Sequence, residues 1–141
     1  MAMHFQAIIR AVAGLGIGLI LAGCAEDIGV DQYGRKVAVE RLEGQWLVIN
    51  YWAQWCAPCR TEIPELNALE KQLKEQSVQV LGVNFDALQG EDPAERYQLP
   101  RAEVLPVTYI VDDQGRMRER LLGEQTAAGL TARLAALKAE G

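Results

Sequence analysis

Cys56 and Cys59 stand two residues apart in the run Trp55-Cys56-Ala57-Pro58-Cys59, just after an apolar segment that ends at Trp52. If a helix starts there, the second sulfur lies one turn behind the first, close enough to close a small ring. A thiolate at a helix amino terminus sees the positive end of the helix dipole and free backbone N–H groups, and both lower its pKa. One sulfur could then attack a disulfide while the other resolves the mixed disulfide. The bare pair admits other uses. A structural zinc site needs four ligands. A purely structural disulfide across so short a loop restricts the unfolded chain little. Copper(I) held by two thiolates is chemically feasible. Dithiol redox chemistry is the leading reading, and a copper(I)-binding or redox-sensing module is its alternative.

The third cysteine, Cys24, and the lone histidine, His4, fall in or beside the amino-terminal segment. Residues 1–10 carry Arg10 and no acid, residues 11–22 (AVAGLGIGLILA) are unbroken apolar, and Leu21-Ala22-Gly23-Cys24 closes the run. A charged start, a short apolar stretch and small residues at its end describe a secretory signal. The stretch is short for a spanning helix, which wants about 20 apolar residues. The LAGC segment resembles the lipobox of bacterial lipoproteins. That resemblance implies acylation of the Cys24 sulfur, removal of residues 1–23, and a membrane-tethered chain facing the periplasm; an uncleaved signal anchor and a soluble redox role for Cys24 are the competing readings. By the same resemblance, Ala25 rather than aspartate after the cysteine favours the outer membrane.

Cleavage before Cys24 would leave no histidine, which removes Ser–His and Cys–His mechanisms and every histidine metal site. No cofactor and no metal ligand set are expected. With 14 basic against 19 acidic residues the formal charge is −5, so no nucleic-acid partner is expected, since that needs a basic face to neutralise phosphates. Arg116, Arg118 and Arg120 alternate with Met117 and Glu119 and read as the solvated face of a strand.

With 141 residues, half of them hydrophobic, the chain suits one domain. Residues 24–34 read as lipid anchor and polar linker, and residues 35–141 as the folded domain. Arg35–Leu42 alternates charged and apolar residues, the period of a half-buried strand. Trp46–Trp52 (WLVINYW) is apolar and β-rich, a strand buried on both faces. The spacing of Ile63, Leu66, Leu69 and Leu73 predicts one apolar face of a helix running to about Gln76, with Pro64 inside it. Val78–Phe85 is the next strand. Asp92-Pro93-Ala94-Glu95 is a helix-start signal for a short helix gone by Pro100. Pro106–Val111 and Arg116–Leu122 are strands joined at Asp112–Gly115, and Thr126 caps a closing helix with Leu130, Leu134 and Leu137 on one side.

The order strand, strand, helix, strand, short helix, strand, strand, helix describes an α/β sandwich around a mixed sheet. Over about residues 35–140 the chain resembles the thioredoxin superfamily. Trp52-Ala53-Gln54-Trp55-Cys56-Ala57-Pro58-Cys59 followed by Arg60-Thr61-Glu62-Ile63-Pro64 is similar to the WAxWCxPCxxExP pattern of the extracytoplasmic TlpA and ResA type. That resemblance implies a thioredoxin fold with a mixed central sheet flanked by helices. It implies a thiol–disulfide oxidoreductase with Cys56 and Cys59 as the redox-active pair, and Trp55, Leu105 and Pro106 meeting substrate. The Leu105–Pro106 bond would be cis, facing the cysteines. Asn50 stands where cytosolic thioredoxins carry a buried aspartate, whose lysine partner is also absent, its place falling near Gly82. The proton-handling carboxylate would therefore be Glu62. The implied partners are a protein disulfide or dithiol substrate (an apocytochrome during cytochrome c biogenesis, another oxidoreductase or a misbridged protein) and a membrane thiol-electron donor. The dipeptide Ala57-Pro58 and the acidic Glu62 suggest a reducing or intermediate potential. The chain departs from that group in one respect: 20 residues separate Phe85 from Pro106, where the TlpA and ResA type usually inserts an extra strand and helix.

Overall fold

The computed structural model describes residues 26–31, 33–88 and 90–141. The expected signal segment and Cys24 lie outside the described residues.

β1 (Asp27–Val30) and β2 (Lys36–Ala38) pair antiparallel as a separate two-stranded sheet. Two sequence readings give way here. Asp27–Val30, expected as polar linker, is a strand. The alternating run expected as one strand to Leu42 stops at Ala38, and a single turn of 3-10 helix (Val39–Arg41) follows. The physical reason is local turn chemistry plus one apolar anchor. Asp31 Oδ1 accepts from the backbone N–H groups of Tyr33 (2.8 Å) and Arg35 (2.9 Å), which closes the hairpin. Ile28 then packs with Val37 on the apolar cluster beneath the main sheet.

The main sheet has four strands in the order β4-β3-β5-β6, formed by β3 (Trp46–Trp52), β4 (Val78–Asn84), β5 (Val107–Val111) and β6 (Met117–Leu122). β3 is parallel to β4 and antiparallel to β5, so the sheet is mixed as expected. The connection from β3 to β4 is the long helix α1 (Ala57–Leu73). Short α2 (Pro93–Arg96) starts at the expected cap, with the Asp92 side chain accepting from Ala94 N. α3 (Ala127–Ala139) starts at Thr126, whose hydroxyl accepts from Gly129 N.

The strands' alternation divides the interior in two. Trp46 and Val48 of β3 and Ile110 of β5 face α1 and α3, against Leu66, Leu69, Leu73, Leu130 and Leu134. Leu47, Ile49 and Tyr51 point the other way, toward Leu42, Leu99 and the half-buried residues of the hairpin and α2. Burial of β3 on both faces is what its unbroken apolar sequence required. On α1 the buried positions are Cys59, Glu62, Leu66, Leu69 and Leu73. Ile63, expected on that face, is only half-buried; in that turn the buried position is Glu62, one residue earlier, while Leu66, Leu69 and Leu73 are buried as expected.

Candidate active site

The end of β3 delivers the chain to α1 through Ala53, which is fully buried, and Cys56 caps the helix. Cys56 has extended backbone angles, and its sulfur accepts from Cys59 N at 3.3 Å. Pro58 sits in the first turn, where a missing N–H costs no helical bond. Cys56 and Cys59 are joined by a disulfide, with their Cα atoms 5.3 Å apart. Cys56 retains 5 % exposure and Cys59 1 %, so the residue at the helix start is the less buried of the pair. On reduction it would remain at the helix amino terminus, where N–H groups and the dipole favour a thiolate.

Behind the disulfide lies a polar cluster at the edge of the apolar interior. Glu62 is 1 % exposed, one helical turn past Cys59. One carboxylate oxygen accepts from Asn50 Nδ2 at 2.9 Å, and the other accepts from Gln125 N at 2.9 Å. Asn50, on β3, also donates to Thr108 Oγ1 on β5 at 3.0 Å. Burial pushes the Glu62 carboxyl above the ordinary range; the bonds from Gln125 and Asn50 oppose the shift, and the like charge of Glu124 adds to it. Glu62 is therefore not on the solvated face of α1. Gly82 pairs with Asn50 across β3 and β4, and the indole of Trp52 stands 3.5 Å from where a side chain on it would begin.

The third part of the site comes from the loop before β5. The Leu105–Pro106 peptide is cis, Pro106 is buried, and Leu105 packs on the cluster of Ala53, Cys56 and Cys59. Gly123 N donates to Pro106 O at 2.9 Å. The segment Gly123–Gln125 therefore ties the cis-proline to Glu62. Trp55 is 66 % exposed beside Cys56, and its indole N–H donates to Asp86 Oδ2 at 2.7 Å, which fixes the ring against the loop after β4.

Glu62, Cys56, Cys59, Leu105, Pro106 and Trp55 thus fall in one region, whereas Cys24 lies outside the described residues. Three residues of this region escape a reading of the sequence. Thr108 lies within the strand that Pro106 opens and could be placed by alternation. Asp86 and Gln125 reach the site from loops and carry no local signal. The arrangement offers a nearly buried cysteine at the helix start, a fully buried second one, a buried carboxyl one turn past the second, and an exposed indole beside the first.

A family model described as the AhpC/TSA family matches residues 23–133. Among curated proteins, a thiol-disulfide oxidoreductase ResA of Bacillus cereus is 26 % identical over 113 residues, covering 68 % of this chain and 65 % of that protein. The chain therefore spans just under two thirds of that relative. Among solved structures, a thiol:disulfide interchange protein of the thioredoxin family from Chlorobium tepidum TLS superposes with a TM-score of 0.61 at 16 % identity, over 80 % of this chain and 96 % of that one. A secreted thiol-disulfide isomerase from Corynebacterium glutamicum superposes with a TM-score of 0.58 at 26 % identity, over 77 % and 81 %.

Proposed function

The chain belongs to the AhpC/TSA family and has the thioredoxin fold, and on that premise we propose that it is a membrane-tethered thiol–disulfide oxidoreductase that reduces disulfides of extracytoplasmic proteins. The observation that carries the reading is the disulfide at the start of α1, with Cys56 the less buried cysteine and a buried carboxyl one turn past Cys59. The printed name of a relative with matched sequence, thiol-disulfide oxidoreductase ResA, supports the oxidoreductase part of this reading.

In the reduced enzyme the Cys56 thiolate attacks one sulfur of a substrate disulfide. The substrate S–S bond breaks, a Cys56–substrate bond forms, and the departing substrate thiolate takes a proton. Cys59 then loses its proton and attacks Cys56 Sγ, which releases the second substrate sulfur as a thiol. Two electrons have passed to substrate, and the enzyme holds the Cys56–Cys59 disulfide. Glu62 handles the Cys59 proton, because a raised pKa brings a carboxyl nearer to working pH. Trp55, Leu105 and Pro106 bound the face where an extended substrate would lie. A reductant in an oxidising compartment has to be recharged, so the reading requires a membrane dithiol donor.

The anchor would be a lipid on Cys24. Only Ala25 separates that residue from Glu26, whose carbonyl accepts from Val39 N and whose carboxylate pairs with Arg96 at 3.0 Å. The tether would therefore be a single residue. Only 20 residues join Phe85 to Pro106, and the helix among them is four residues long, so partner recognition falls on the face around the disulfide itself.

Trapping tests the assignment of the sulfurs. Cys59→Ala should accumulate mixed disulfides through Cys56 that gel shift and mass spectrometry identify, and Cys56→Ala should accumulate none. Retained dithiol reductase activity in both variants would overturn it.

A further inference from the structure

We propose that Asn50 is a positioning residue whose side-chain amide has two orientations, one matched to ionised Glu62 and one to protonated Glu62. The inference rests on Glu62 as the proton-handling group of the proposed reaction.

The geometry shows one of the two orientations. Both Asn50 Nδ2 hydrogens are used, one toward Glu62 Oε2 at 2.9 Å and one toward Thr108 Oγ1 at 3.0 Å. Asn50 Oδ1, on a fully buried residue, has no hydrogen-bond partner among the described residues. Buried polar atoms without partners are uncommon and destabilising. The arrangement suits a carboxylate, which only accepts. It does not suit a carboxylic acid, whose O–H would meet the Asn50 amino group head-on.

Turning the amide by half a revolution removes that conflict. Oδ1 then stands between Glu62 and Thr108 and accepts from the new Glu62 O–H. Thr108 changes from acceptor to donor by rotating its hydroxyl, which a threonine can do in place. In both states the other Glu62 oxygen keeps its bond from Gln125 N. One residue with a donor and an acceptor on the same planar group therefore serves both protonation states, with one polar atom left unpaired in each. An aspartate or an apolar residue at position 50 could not do this. Near-balance between the two orientations lets Glu62 take up and release a proton without moving α1 or the sheet.

Among the described residues, the ionisable and polar groups around Glu62 come from its own helix, the loop before α3, and the two central strands. Cys59 lies one turn back on its own helix. Glu65, three residues on, is engaged by Ala127 N at 2.8 Å. Glu124, on the loop before α3, acts on Glu62 by like charge. β3 and β5 contribute Asn50 and Thr108, neither of which ionises.

The test is NMR of the oxidised protein, in which the disulfide removes the cysteines from the titration. With 15N-labelled asparagine, the Asn50 amide protons should show strong contacts to Thr108 protons above the Glu62 carboxyl midpoint. Those contacts should fall several-fold below it, with the same midpoint. In Glu62→Gln, the oxygen of the introduced amide has to accept from Gln125 N, so its amino group faces Asn50. That should lock the Asn50 amide in the turned orientation and give the low-pH pattern at every pH. Asn50→Leu should move the Glu62 midpoint upward, because the bond to the charged form is the stronger one. Amide contacts that stay constant across the titration, or a Glu62→Gln protein showing the high-pH pattern, would overturn the inference. A Glu62→Gln enzyme with an unchanged pH–rate profile would instead sink the role of Glu62 in turnover, whatever Asn50 does.

Discussion

Replacing Glu62 by glutamine in the oxidised protein isolates what the charge of this residue does to stability. Taking an ion out of water costs several kcal/mol, and Glu62 is 1 % exposed. The bonds from Gln125 N and Asn50 Nδ2 each return about 1.5–3 kcal/mol as hydrogen bonds to a charged group. Burial is the larger effect and Glu124 adds to it, so the folded carboxyl is held above its ordinary range. A folded pKa above the unfolded one means that the native state keeps a proton which the unfolded chain has already released. The stabilisation from this group is full below the unfolded value of about 4.3, and it is lost as pH rises through the folded value. Each unit of separation removes about 1.4 kcal/mol, or about 5 °C in melting temperature for a domain of this size. The amide of the variant has no proton to lose. Calorimetry of the oxidised wild type and Glu62→Gln between pH 4 and 8 should therefore show the difference moving in favour of the variant as pH rises. Melting curves whose separation is the same at every pH would refute the reasoning, because they would mean that Glu62 titrates alike in the folded and unfolded chains.

Three further outcomes follow from the site, the anchor and the β5–β6 turn. Glu62→Gln should lower disulfide-exchange turnover about a hundredfold at neutral pH and flatten its pH dependence, as loss of general acid–base help requires; superimposable pH–rate profiles would reduce Glu62 to a structural residue. Cys24→Ser should abolish amino-terminal acylation in mass spectra of the first peptide while exchange activity in solution survives, and a mature chain still beginning at Met1 with a free Cys24 thiol would exclude the anchor. Asp112 is buried at the β5–β6 turn; burial alone would raise its carboxyl, but bonds from the backbone and side chain of Arg116 and from Gln114 N hold it below the usual range. Its contribution is thus present above about pH 3.9 and lost as pH falls through the folded value. Asp112→Ala should cost about 2–4 kcal/mol in urea unfolding at pH 7, and a loss below about 0.5 kcal/mol would show that the turn holds without it.

Much of the fold is legible because its signals are local. The strand Trp46–Trp52 declares itself by an apolar run, the caps Asp92 and Thr126 by their residue types, and the cysteine pair by spacing. What eludes the sequence depends on distant partners. Ile63 competes with Glu62 for the buried side of α1, and apolarity alone favours the isoleucine. Glu62 is buried because Gln125, 63 positions away, and Asn50 supply its hydrogen bonds. The hairpin of β1 and β2 is hidden for a different reason. Aspartate and glycine in Asp27–Gly34 read as linker composition, yet in the fold Asp27 binds Lys36 and Asp31 closes the turn. Thr108 follows from strand alternation once Pro106 is placed, but its bond to Asn50 needs the antiparallel register of β3 and β5, in which the two residues are partners.

The most direct test of the central claim is catalysis of disulfide reduction by the full mature chain. Purified protein should accelerate the reduction of insulin disulfides by dithiothreitol, cycling between free thiols and the Cys56–Cys59 disulfide. Cys56→Ala should return the rate to background, and metal analysis of the active protein should find far less than one equivalent of copper. A wild-type protein that leaves the background rate unchanged while carrying stoichiometric copper(I) on Cys56 and Cys59 would contradict the account, and would make the pair a metal-binding site rather than a redox centre.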